Sequence, residues 1–201
     1  MRTSLHKLKS FEEAKKIARL HLNNINQSFL ASLGERFLSE FYYTLSRSPY
    51  GFCLFLQREE RIVGFVAGAY SIKKFHRDFL IKKGVKCSLL LFTKLLSKNF
   101  LRGLMEKLHY PEKVRGGGDL PQAELIAIAV DKDFQGKGLG SELMKFFLEE
   151  LKKRGIEEVK VMVGESNLKG RNFYKLHGFE EKEEVIFRGG VRSQVMVRKV
   201  K

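Results

Sequence analysis

Glu124-Leu125-Ile126-Ala127-Ile128-Ala129-Val130, then Asp131 to Phe134, then Gln135-Gly136-Lys137-Gly138-Leu139-Gly140-Ser141: the architecture turns on this run. A continuous apolar stretch headed by one carboxylate reads as a strand buried on both faces, the pattern of a parallel or mixed sheet. Glycines follow it, and from Ser141 to about Arg154 the apolar residues recur at helical spacing. The first N–H groups of a helix lack intrahelical partners, and the helix dipole is positive there. Glycines without Cβ atoms let an anion approach those amides closely. The spacing is G-x-G-x-G. No lysine follows Gly140, so it is not the phosphate loop of nucleotide triphosphatases, and it is one residue short of the dinucleotide fingerprint. The alternative is a glycine-rich turn ahead of a packed helix.

Downstream, Glu157–Val163 reads as a strand, and about Leu168–His177 as a short helix that stops at Gly178. Two closing strands, Phe179–Phe187 and Val191–Val200, flank a Gly189-Gly190 turn. Upstream, residues 3–8 suit a short strand. Ser10 with Glu13 is a capping box that opens a helix to about Leu22. A second helical pattern runs from Ser28 to Leu45, with Gly34 as its weak point. Phe52–Gln57 and Ile62–Tyr70 form a hairpin signal. Residues 72–115 look mainly helical, and Gly116-Gly117-Gly118 marks a join. The expected class is therefore α/β, a central mixed sheet flanked by helices, with a helical insert at about 72–115 in one domain of residues 1–201.

The totals narrow the function. At 201 residues and 43% hydrophobic content, the chain suits one globular domain rather than a disordered one. Cys53 and Cys87 make no disulfide framework, which suits reduced thiols in the cytoplasm. The N-terminal residues have charge but no apolar run behind it, so no signal peptide is expected. No stretch reaches the roughly 20 apolar residues of a membrane span. The net charge is +15, and residues 72–115 carry net +9 of it. That surplus attracts anions or is a solvated helix face. No nucleic-acid motif accompanies it, so nucleic acid is not an expected partner. The insert's Leu/Phe stripe beside Lys and Arg leaves membrane-surface contact as a minor reading. Packing on the domain, or on a second subunit as a homodimer, is the major one.

Val130–Met144 resembles the acetyl-coenzyme A motif of the GNAT acetyltransferase superfamily, [RQ]-x-x-G-x-[GA], with Gln135, Gly138 and Gly140 on its fixed positions. Asn167–Phe179 (N-L-K-G-R-N-F-Y-K-L-H-G-F) resembles the family's second motif, N-x-x-[AG]-x-x-[FL]-Y-x-x-x-G-F. Asn167, Gly170, Phe173, Tyr174, Gly178 and Phe179 all match. The resemblance is close over residues 115–201 and loose over 1–71. The 72–115 segment is longer than the family's usual connection.

The resemblance implies acetyl transfer from acetyl-coenzyme A to a primary amine, by direct attack in a ternary complex and without a metal. It implies that Gln135, Gly136, Lys137, Gly138, Leu139, Gly140 and Ser141 hold the pyrophosphate. Strand 124–130 would bulge near its end and offer amides at Ile128, Ala129 and Val130 to the pantetheine arm and thioester oxygen. Asn167 and Arg171 would help hold the coenzyme; Asn167 also suits a helix N-cap. Tyr174 would be the acid at the coenzyme sulfur. Glu124 would be the base that deprotonates the amine, directly or through water, with His76 and His109 as alternatives. A small-molecule amine, drawn in by the basic insert if anionic, is the favoured acceptor. A protein or peptide amine, or a coenzyme-A-binding regulatory module without turnover, are the alternatives.

Overall fold

The computed structural model describes residues 3–26, 28–95, 120–186 and 192–200, of which 84–95 as backbone only. Seven strands form one sheet in the order β1-β2-β3-β4-β5-β7-β6. They are β1 Ser4–Lys7, β2 Gly51–Arg58, β3 Arg61–Ala69, β4 Ala123–Val130, β5 Glu158–Gly164, β6 Glu180–Ile186 and β7 Arg192–Lys199. The helices are α1 Phe11–Asn24, α2 Phe29–Ser32, α3 Glu35–Arg47, α4 Ile72–Leu95, α5 Leu139–Lys153 and α6 Leu168–Leu176. Every neighbouring pair is antiparallel except β4 and β5, which are parallel. The helix between them, α5, is the crossover that a parallel pair requires.

Two cores lie on the two faces. On one, α1 and α3 cover Phe55, Phe65, Ala67, Ala127 and Ala129. On the other, α5 and α6 cover Leu54, Val66, Leu125, Val161 and Met196, with Phe147 and Tyr174 reaching in. The capping box at Ser10 forms as expected: its hydroxyl accepts from Glu13 N at 3.1 Å, and the Glu13 carboxylate accepts from Ser10 N at 2.9 Å.

The single helix expected over Ser28–Leu45 is two helices. Gly34 has φ +89°, which no helix interior allows, and α2 ends before it while α3 begins after it. The rest of the insert, residues 96–119 with the triple glycine, and the Gly189-Gly190 turn lie outside the described residues. Within the described part, residues 72–95 are helical as expected.

His21 is a buried imidazole that the periodicity did not single out. It is 1% exposed, with Nδ1 at 2.5 Å from the Tyr42 hydroxyl and Nε2 at 2.8 Å from Ser28 Oγ. These bonds tie α1 to α3 and to the N-cap of α2. Burial disfavours the imidazolium and lowers the His21 pKa to about 4 from its ordinary 6.5. Below pH 6.5 the unfolded chain therefore binds a proton that the folded chain refuses. Stability from this group is complete above about pH 6.5 and falls by roughly 3 kcal/mol as pH drops to about 4. Urea unfolding at pH 7 and 4.5 checks this: the wild type loses more stability between the two than His21→Gln does, and an equal loss in both excludes His21 as the source.

Candidate active site

The site is built where β4 and β5 part. They pair at Ala123–Val159, Glu124–Lys160 and Leu125–Val161, and no further. On its other side β5 stays paired with β7 as far as Gly164–Ser193. The edge of β4 that faces β5 thus has no strand partner from Ile126 on, among the described residues.

A bulge accompanies the parting. Ala67 pairs with Ala127 but Gly68 pairs with Leu125, so Ile126 is the extra residue. It sits mid-strand, earlier than the strand end where the sequence placed it. The bulge also resets which amides face which way. Asp131 N donates to Val63 O at 2.9 Å, across the β3 side. Main-chain groups alternate along an antiparallel strand, so Ala129 and Ala127 spend theirs on β3 as well. Ile128 and Val130 are left with N–H and C=O turned to the open edge. Of the three residues expected along the pantetheine arm, Ile128 and Val130 present amides to the opening and Ala129 does not.

The glycine loop continues the same line. A 3-10 turn at Lys132–Phe134, capped by Asp131, leads out of β4. Gly136 and Gly138 have φ +74° and +79°, and a Cβ built on either meets nothing within 4 Å. Both therefore border open space, and both hold a conformation that other residues rarely take. Gly138 caps α5 with no side-chain bond to its amides, so the N–H groups at the start of α5, around Leu139, Gly140 and Ser141, face outward. At Gly140 a Cβ would lie 3.2 Å from the Phe173 ring, which lets α6 pack against the start of α5. These features fit a coenzyme A pyrophosphate.

Some expected coenzyme residues have internal duties. Gln135 Nε2 donates to Val130 O at 3.0 Å, and Gln135 Oε1 accepts from Lys169 at 3.1 Å. Gln135 thus braces the loop between β4 and α6. Lys137 donates to Asp133 O at 3.0 Å and lies over the Phe134 ring. Asn167 is the N-cap of α6, accepting from Gly170 N at 2.9 Å. Arg171 pairs with Glu181 at 2.6 Å, which ties α6 to β6.

Tyr174 is 9% exposed and packs edge-on against Phe173 and Phe179. It belongs to the same apolar cluster as Val161 and Val163, against which Ile128 and Val130 also pack. The phenol thus lies on the α5–α6 side of the sheet, the side that Ile128 and Val130 face. Burial pushes its pKa well above 10, so the hydroxyl stays protonated. Glu124 is 7% exposed and alternates onto the opposite face from Leu125, 3.9 Å from Lys160 Nζ. His76 is exposed on α4, and His109 lies outside the described residues.

Of the insert lysines expected to attract anions, Lys82 is paired with Asp78 at 2.8 Å and Lys83 with Glu40 at 3.1 Å. A surface cleft of about 510 Å³ lies between Lys16, Arg19 and Asn23 of α1 and the β2–β3 turn, with Asp131 at its margin. Neither Ile128 nor Val130 lines it.

The model of the acetyltransferase (GNAT) family matches residues 20–179. The chain belongs to the GNAT family. An uncharacterized N-acetyltransferase of Methanocaldococcus jannaschii is 48% identical over 63 residues, 31% of this chain and 28% of that protein. The ribosomal protein bS18-alanine N-acetyltransferase of Escherichia coli is 40% identical over 62 residues, 31% of this chain and 42% of that protein. The chain thus spans less than half the length of either relative. Solved structures agree over the whole fold. The Escherichia coli S18-alanine N-acetyltransferase has TM-score 0.62 at 15% identity, covering 100% of this chain and 95% of that one. PaiA N-acetyltransferase of Thermoplasma acidophilum, in complex with coenzyme A, has TM-score 0.59 at 15% identity, covering 99% of each chain.

Gly138→Val forces a branched residue into the left-handed region and fills the space before the α5 amides. Isothermal calorimetry is expected to show coenzyme A affinity reduced at least about tenfold, equivalent to about 1.4 kcal/mol. Unchanged affinity in the folded variant contradicts the loop assignment.

Proposed function

We propose that this protein is an acetyl-coenzyme A-dependent N-acetyltransferase acting as one domain over residues 1–201. The observation that carries the reading is the β4 edge without a strand partner at Ile128 and Val130, followed through the 3-10 turn and the glycine loop by the open amides at the start of α5. Pantetheine carries its own amides, so it can lie along that edge as a missing strand would. The pyrophosphate then reaches the helix N-terminus. This alignment holds the thioester beside the parting of β4 and β5, and such positioning lowers the barrier by several kcal/mol.

The chemistry divides between the two faces of the sheet. Glu124 lies on one face and accepts the proton that an ammonium must lose before it attacks, directly or through water. The freed amine adds to the thioester carbon, and a main-chain N–H at the open edge stabilises the oxygen that becomes negative. The carbon–sulfur bond then breaks, Tyr174 on the other face gives its proton to the departing sulfur, and the nitrogen releases its second proton to solvent, from which the phenolate is reprotonated. Burial makes the phenol a weaker acid, but the same apolar surroundings disfavour the thiolate, so the transfer to sulfur stays matched.

The acceptor is a primary amine. A small molecule is the first reading. A peptide or protein α-amine is the second reading, supported by the likeness to the S18-alanine N-acetyltransferase. A module that binds coenzyme A without turnover has no need of Tyr174 or Glu124 at the parting.

A screen of small amines and alanyl peptides with acetyl-coenzyme A, following thiol release, tests the activity. With any acceptor found, Tyr174→Phe is expected to lower kcat roughly 100-fold while coenzyme A affinity stays within about twofold. Equal single-turnover rates would make Tyr174 a packing residue only.

A further inference from the structure

Lys160 is the most deeply buried cation among the described residues, 2% exposed in the middle of β5. Its alternation partners Val159 and Val161 fill the core beneath α5, so Lys160 points to the other face with Glu124. Its Nζ donates to Pro121 O at 2.7 Å, in the segment that leads into β4, and lies 3.9 Å from Glu124 Oε2. Glu183 of β6 is a second carboxylate that bears on it, with Oε1 buried. A lysine buried this fully costs several kcal/mol unless charges compensate it. A chain that needed only packing here would hold a valine.

We propose that Lys160 is the positioning residue for Glu124: it fixes the carboxylate at the last rungs of pairing before β4 and β5 part, and keeps it ionised inside an apolar site. The inference rests on the reading of Glu124 as the base. A buried carboxylate with no cation beside it is favoured in its protonated form, which cannot take a proton from an ammonium. An opposite charge within about 4–6 Å reverses that preference. The bond to Pro121 O holds the ammonium in place and with it the start of β4.

Among the described residues, other titratable groups on the packed elements have these partners or face solvent. On β3, Ala69 pairs with Glu124, and the adjacent Tyr70 turns its hydroxyl to Glu150 on α5. On α1 and α3, His21 and Tyr42 bond to each other, and Glu40 pairs with Lys83. On α4, Lys73, Lys74 and His76 are exposed. Burial lowers the Lys160 pKa, while Glu124 and Glu183 raise it. Glu183 therefore supports the ammonium.

The test is a carbon-13 titration of the glutamate carboxyls in labelled full-length protein, with Glu124 assigned from its loss in Glu124→Gln. In Lys160→Met, the Glu124 midpoint is expected to rise by roughly one to three pH units. If Lys160→Met does not fold, the wild-type titration decides: a Glu124 midpoint at or below the ordinary carboxylate range supports the proposal, and one raised above it, as burial without a cation would give, overturns it. An unmoved Glu124 midpoint in folded Lys160→Met overturns it as well. A Glu124→Gln variant that acetylates at the wild-type rate overturns the base assignment beneath it, and that outcome is visible separately from the titration.

Discussion

Two parallel strands must stay paired or leave their inner edges to some other partner, because main-chain amides left unbonded away from water are costly. In this protein β4 and β5 pair over three rungs and then separate, and the rest of the site depends on that separation. Had the pairing continued to Val130, Ile128 and Val130 would have no free amides. The pantetheine would then have no edge to lie on, and the glycine loop would bind an anion with nothing aligned behind it. The α5 crossover packs Leu143 and Phe147 against Gly64 and Gly68 of β3, in the core that also holds Leu125 of β4 and Val161 of β5.

The bulge at Ile126 does a second job. It places Glu124 on one face of the sheet and keeps Leu125 on the other, while beyond it Ala127 and Ala129 join the core beneath α1 and α3. The opening therefore connects a face that carries a carboxylate with a face that carries a phenol. In the proposed mechanism an amine and a thioester meet from opposite sides, with Glu124 serving the amine and Tyr174 the sulfur. The sheet separates the two groups in space, and burial separates them in chemistry: the phenol stays protonated, and the carboxylate has a cation beside it.

Much of this was legible in the sequence, and the reasons it stopped are local. The strand, glycine loop and helix at Glu124–Arg154 carry strong punctuation, so their order and type followed from the residues. The capping box at Ser10 and the β2–β3 hairpin did too. Gly34 was noted as a weak point, but not as a break, because a single glycine lowers helix propensity by only about 1 kcal/mol while a positive φ requires its structural surroundings. The candidate residues Gly138 and Tyr174 follow from motif spacing. The exclusion of Ala129 does not, since amide direction depends on a bulge whose position leaves no mark in a run of alternating Ile and Ala. Lys160 was missed for a physical reason. In E-V-K-V-M-V the lysine falls on the period-2 positions that usually face water, and only Met162 on the same face hinted that this face is covered. The insert's charge was legible, but the pairing of Lys82 and Lys83 with Asp78 and Glu40 was not, because those acids lie on the previous turn and on another helix.

The central claim is that the open edge of β4 and the start of α5 form one continuous surface for coenzyme A. Titrating nitrogen-15-labelled protein with coenzyme A and following the amide resonances tests it most directly. The account predicts that the amides of Ile128, Val130 and Gly136 to Ser141 shift together along one binding curve, while Ala129 shifts less than its two neighbours. Shifts confined to the cleft around Lys16, Arg19 and the β2–β3 turn, with Ile128 and Val130 unmoved, would contradict it.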